Sequence, residues 1–217
     1  MIIPFLYPYY TVIVANGQFP EHSIPLSFLH KAERIICCDG ATEALLNFGM
    51  EPDYIVGDLD SLSQKLQSRF KNILNHNPDT ECNDLTKAVN FCVEKNWTEI
   101  TILAATGKRE DHCLGNISLI ADYAEKINVQ MITDYGTFIP LLHSGQFESL
   151  AGQQVSIFSL TPETVFTFKG LKYPINEQRL FQLWQGTLNE ALGSEFQIEM
   201  NCGKALVFRE HNLGGYV

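Results

Sequence analysis

The sequence predicts two regions of different class: an open, mostly parallel α/β sheet with helices on both faces, followed by a small antiparallel all-β domain. Three observations carry this. Up to about residue 134, strand-like and helix-like runs alternate. The strands among them, such as "RIICC" and "DYIVG", are almost continuously apolar, the pattern of strands buried on both faces. After about residue 136 the runs become short and alternating, separated by Gly, Pro, Ser and Asn, which reads as antiparallel sheet. The boundary is placed near residue 143, giving an α/β domain over 1–142 and an all-β domain over 143–217. The second is small for an independent core, so it is expected to pack on the first or on another copy of itself.

The elements follow in order. An apolar lead-in with Pro4 and Pro8 and no basic leader is not a secretion signal; it runs into a first strand, "TVIVAN" (11–16). Residues 22–32 read as a short helix, against the resistance of Pro25. A strand at 34–38 precedes a helix at 41–49 that stops at Gly49. A strand (53–57), a helix (63–70) and a short strand (72–76) come next. Residues 84–96 form an amphipathic helix with Leu85, Ala88, Val89, Cys92 and Val93 on one stripe. A strand (99–105), a helix (111–126) and a strand (129–134) complete the first domain. Beyond it, "TFIPLLH", "QVSIFSL", "TVFTFKG", "SEFQIEM" and "KALVFRE" are the strands, and "QRLFQLW" (178–184) is a helix or a bent strand.

Composition narrows the function. With 45% hydrophobic and 18% charged residues in 217, the chain is an ordinary folded protein. The net charge of −10 argues against a nucleic-acid partner. It leaves room for an anionic substrate bound through a divalent cation. No apolar run reaches the roughly 18 residues that a membrane helix needs. Six cysteines without a CxxC pair argue against a disulfide framework or zinc, and fit reduced thiols in the cytoplasm.

Ligands of an open parallel sheet bind beyond the carboxyl ends of its strands. Asp39, Asp58 and Asp60 follow strands and fall on that edge, as does the loop "ATGKRED" (105–111). Asp84 opens a helix and has Lys87 three residues on. Hard oxygen ligands from Asp58, Asp60 and Asp84 suit Mg²⁺. The plainer alternative is that Asp39, Asp60 and Asp84 each cap a helix, and that Asp84 and Lys87 form a surface ion pair. Arg109, just before a helix start, suits phosphate clamping or a surface pair with Glu110 or Asp111. His112 reads first as a structural residue of that helix. Neither the dinucleotide fingerprint nor the P-loop is present, and no nucleophile elbow occurs.

Taken in order, "DGATEALLNFGMEPDYIVGDLDSL", "PDTECNDLTKAV", "GKREDHCLGNI" and "GLKYPI" resemble the thiamine pyrophosphokinase family over almost the whole chain. The resemblance implies an N-terminal α/β domain binding ATP and metal, a C-terminal β-sandwich binding thiamine, and a homodimer. It implies transfer of pyrophosphate from ATP to the hydroxyl of thiamine with Mg²⁺. Residue by residue, Asp58 and Asp60 match the family's metal-binding pair. Asp84 and Lys87 match its T-D-x-x-K segment, and Asp39 its D-G-[GA] turn. Arg109, Asp111 and His112 match its G-G-R-x-D-H stretch. Asn189 matches the asparagine of a serine-rich S-N segment that helps hold thiamine. The departures are Asn83 for threonine, Glu81 for aspartate, Lys108 for the second glycine and Leu188 for the serine.

Both lines give one expectation. Mg²⁺ on Asp58, Asp60 and Asp84 bridges the phosphates, and Lys87 and Arg109 neutralise charge. Asp39 or Asp111 orients or deprotonates the hydroxyl. Two rivals stand beside it: a kinase or pyrophosphokinase for another hydroxymethyl heterocycle, and a silent nucleotide- or thiamine-binding protein.

Overall fold

A computed structural model of the chain describes residues 2–211; the last six residues of the expected second domain lie outside them. In chain order the elements of the first part are β1 (Ile2–Ile3), β2 (Thr11–Val14), α1 (Ser23–His30), β3 (Arg34–Cys38), α2 (Thr42–Asn47), β4 (Tyr54–Gly57), α3 (Gln64–Arg69), β5 (Leu74–His76), α4 (Asp84–Glu94), β6 (Glu99–Leu103), α5 (Glu110–Tyr123) and β7 (Asn128–Ile132). Then come β8 (Gly136–Leu141), β9 (Gly145–Glu148), β10 (Gln154–Ser159), β11 (Val165–Lys169), β12 (Gln178–Arg179), β13 (Asn189–Glu190), β14 (Glu195–Met200) and β15 (Ala205–Glu210).

The chain divides into two compact units. One comprises Tyr9–Leu119 and Glu125–Asp134; the other Met1–Pro8, Ile120–Ala124 and Tyr135–Val217. Strand β8, which the expected boundary near residue 143 leaves with the first domain, groups with the second unit.

In the first unit β7, β6, β2, β3, β4 and β5 lie side by side, every pair parallel. The central strands are mostly apolar and buried along most of their length, with Val12 against Ile35, Ile13 against Ile36 and Cys37 against Ile55. Pro25 is accommodated because it sits in the first turn of α1, where its missing N–H is not needed. Helix α4 packs against β2, β3 and β4. It buries Leu85, Ala88, Val89 and Cys92 as its stripe predicts, and Lys87 and Phe91 besides. Strand order runs outward from β2 through β3, then returns to β6 on the other side of β2. That reversal opens a crevice at the carboxyl ends of β2, β3 and β6.

The second unit contains two sheets. In one, β13, β10, β15 and β8 are antiparallel neighbours. In the other, β9, β14, β11 and β12 are antiparallel and β1 joins β9 in parallel. Both contribute to one core, which includes Ile139, Phe147, Ile157, Phe166, Phe196 and Val207. The run 178–184 is neither one helix nor one bent strand: β12 ends at Arg179 and a 3-10 turn begins at Leu183. Arg209 is 2% exposed, and its guanidinium donates to the carbonyls of Glu148, Pro4 and Phe5. Burial pulls its pKa down to about 10.

Candidate active site

The crevice of the first unit holds a cavity of about 500 Å³. Its lining includes Asn16 after β2, Asp58 after β4, Asp84 and Lys87 of α4, and Lys108, Arg109, His112 and Asn116 from the β6–α5 region.

The aspartates are free for chemistry because other residues cap the helices. Asn83 accepts from Thr86 N–H at 2.9 Å at the start of α4, and Ser63 accepts from Leu66 N–H at the start of α3. Helix α2 has no side-chain cap. The capping alternative for Asp39, Asp60 and Asp84 is therefore not realised. Asp39 instead sits at the end of β3, with Oδ1 accepting from Gly40 N–H at 2.6 Å. The turn at Asp58-Leu59-Asp60 puts Leu59 at φ 68, in the left-handed region. Asp58 Oδ1 accepts from Asp60 N–H across that turn. Packing of Leu59 against the Ile55, Leu62 and Phe70 cluster holds the strained residue in place.

One ligand oxygen from each of Asp39, Asp58 and Asp60 lies within 4.8 Å of the others. Asp39 is 2% exposed, and its Oδ2 has no hydrogen-bond partner. Burial, and next the charge of Asp84, push its carboxyl up from the ordinary range. Asp84 does not join this group of three; its Oδ1 accepts from Lys87 Nζ at 2.9 Å, and Asp58 Oδ2 lies 3.6 Å from the same ammonium. Lys87 is thus a buried cation between two carboxylates, not a surface ion pair. Burial works against its charge, but Asp84 and then Asp58 outweigh burial and raise its pKa. Asp58 is held low, first by the Asp60 N–H and, against some desolvation, by Lys87.

Arg109 lines the cavity yet forms a two-point ion pair with Asp111, as the plainer expectation had it. That pair and the His112 N–H hold the Asp111 carboxyl down to about 2. Asn189 lies in the second unit, 4% exposed, and exchanges hydrogen bonds with the main chain of Tyr173. Sequence reasoning did not single out Asn16, Asp79 or Asn116, which also line the cavity. The signal for Asn16 was its place at the end of a strand, the same signal that selected Asp39.

Hard carboxylates beside a buried ammonium, at the topological switch of a parallel sheet, are groups suited to a phosphate-bearing substrate and a divalent cation. Comparison with known proteins gives the class a family. Residues 26–132 match the catalytic-domain model of thiamin pyrophosphokinase, and residues 136–208 match its substrate-binding domain. The thiamine pyrophosphokinase of Bacillus subtilis is 29% identical over 175 residues, covering 76% of this chain and 80% of its own. Thiamin pyrophosphokinase 1 of Caenorhabditis elegans is 24% identical over 195 residues, covering 82% and 79%. The structure of thiamin pyrophosphokinase from Candida albicans superposes with a TM-score of 0.80 at 19% identity, covering 97% of this chain and 92% of that one. This chain belongs to the thiamin pyrophosphokinase family.

Proposed function

We propose that the protein transfers the pyrophosphoryl group of ATP to the hydroxyl of thiamine, giving thiamine diphosphate and AMP. The observation that carries this is the Asp39, Asp58 and Asp60 group, whose Asp58 lines the cavity together with Lys87, in a chain matching both family domains. ATP is a polyanion, and a site this acidic accepts one only with positive charge supplied.

The residues fit Mg²⁺. The donors are all hard oxygens, and the buried, unpartnered Asp39 Oδ2 lacks a positive neighbour that an ion would provide. Asp58 and Asp60 with Asp39 would hold it. The ion would neutralise phosphate charge and favour departure of the nucleotide. Asp84, expected as a third ligand, instead holds Lys87, whose ammonium meets phosphoryl oxygens as negative charge shifts among them. Arg109 leaves its exposed pair with Asp111 at little cost and clamps a phosphate by two N–H groups. His112 adds a donor to the same wall. Asp111, strongly acidic, accepts a hydrogen bond and serves poorly as a base. A loose transition state for phosphoryl transfer does not require a strong one.

For the second unit we propose a β-sandwich that binds thiamine and forms the interface of a homodimer. The exposed Tyr173, Phe181, Leu183, Trp184 and Leu188 support this, since so much apolar surface in one stretch of chain wants a ligand or a partner. Asn189 acts there by fixing Tyr173. The six free cysteines support a reducing, cytoplasmic setting. Among the described residues no helix is long and apolar enough to cross a membrane.

The test is thiamine diphosphate formation from ATP and thiamine with Mg²⁺ in the wild type and in Asp60→Asn. The wild type turns over, and the folded variant does not. Equal activity in the variant refutes the metal role.

A further inference from the structure

We infer that Lys108 is a nucleotide-binding residue, its ammonium held on Asn16 and directed to an ATP phosphate. The inference rests on the proposed ATP site.

Lys108 has φ 62 and follows Gly107 at φ 75. Two successive residues are thus in the left-handed region, which glycine adopts freely and a side chain does not. Lysine occupies a position where the backbone favours glycine. Its side chain is exposed and lies in no core, so packing does not repay the strain. An outlier of this kind beside a cavity points to a use.

The geometry supplies one. Lys108 Nζ donates to Asn16 O at 3.2 Å and to Asn16 Oδ1 at 3.1 Å. An ammonium has three donors, so one remains. Asn16 is itself fixed. The loop after β2 is bonded to the loop after β6, through Gly17 N–H to Ala104 O and Gln18 N–H to Thr106 O. Gly40 leaves it room, since a Cβ there would stand 2.2 Å from Asn16 Nδ2. The Lys108–Asn16 contact therefore spans the two strands between which the sheet order reverses.

Among the described residues lining the cavity, the other lysine and arginine are spoken for. Lys87 lies against Asp84 and Asp58, and Arg109 against Asp111. Lys108 alone of these three has neutral partners and keeps its charge uncompensated. It is the cation on this wall that a phosphate meets without first breaking an ion pair.

The test compares wild type, Lys108→Gly, Lys108→Met and Lys108→Arg by calorimetric binding of MgATP and by steady-state kinetics. Glycine suits the backbone, so the Gly variant folds and melts no lower than wild type. Both Gly and Met variants weaken MgATP binding about tenfold or more and raise KM for ATP, the loss of one charge-assisted hydrogen bond. KM for thiamine stays the same, adenosine binding is unaffected, and Arg restores much of the affinity. Asn16→Ala, which removes the Oδ1 contact and keeps the main-chain one, raises KM for ATP less than Lys108→Met does. Unchanged MgATP affinity in Lys108→Met, with wild-type turnover intact, overturns the inference alone. A wild-type protein that neither binds MgATP nor forms product overturns the ATP reading and the inference with it.

Discussion

The ammonium of Lys87 lies 2.9 Å from Oδ1 of Asp84, one turn earlier on the same helix, although the lysine is 3% exposed and the aspartate 34%. Helix α4 buries this lysine together with Phe91, away from the Leu85, Ala88, Val89 and Cys92 stripe. The charge is then held under the carboxylates and cannot be solvated away from them. Removing it strips two neighbouring acids, Asp58 and Asp84, of their nearest cation.

Lys87→Met keeps the aliphatic stem and deletes the charge. Turnover is expected to fall about a hundredfold or more. Stability is expected to fall by about 1–3 kcal/mol, less than for a fully buried pair because both aspartates are partly solvated. Steady-state kinetics and urea unfolding check both, and wild-type turnover contradicts the role.

Gly57 is the seat of Asp39. A Cβ there would stand 2.8 Å from Asp39 Cγ. Gly57→Ala is therefore expected to displace the carboxylate and lower kcat on the order of a hundredfold, with the far-ultraviolet circular dichroism unchanged. Full activity in this variant would remove Asp39 from the site.

Asn83 stands where the resemblance expects threonine, and it caps α4 while its Nδ2 donates to Asn116 Oδ1. Asn83→Thr preserves a capping oxygen and is expected to be nearly neutral. Asn83→Ala is expected to cost about 1 kcal/mol in denaturant unfolding. Equal stability of the two variants contradicts the cap.

The Arg109–Asp111 pair sets an acid dependence. The folded pKa of Asp111, about 2, is below its unfolded value, which is about 3.9. The stabilisation is thus fully present above about pH 4 and is lost as pH falls toward 2. The pair is exposed, so the effect is small and salt-sensitive. Melting temperature against pH at low salt is expected to fall less steeply in Asp111→Asn across that window. Identical acid limbs refute the pair.

Much of the first unit was legible because its strands are apolar on both faces and its helices carry periodic stripes. Asp39, Asp58 and Asp60 were legible for the same reason, since each follows a strand. Their roles were less so. Asp84 and Asp60 sit beside better-placed caps, Asn83 and Ser63, and only the backbone decides which residue takes the cap. The i,i+3 spacing of Asp84 and Lys87 looks the same on an exposed or a buried helix face. Strands β1, β9, β12 and β13 have two to four residues, too few to show a period, and β1 pairs with β9 across most of the chain. Asn189 has the residue type of a ligand contact, and its use on Tyr173 shows only when the two segments meet.

The most direct measurement incubates the protein with ATP, Mg²⁺ and thiamine and separates the nucleotides and thiamine phosphates over time. AMP and thiamine diphosphate are expected to appear in step, one for one. ADP with thiamine monophosphate would contradict pyrophosphoryl transfer, because the γ-phosphorus would then be the one attacked.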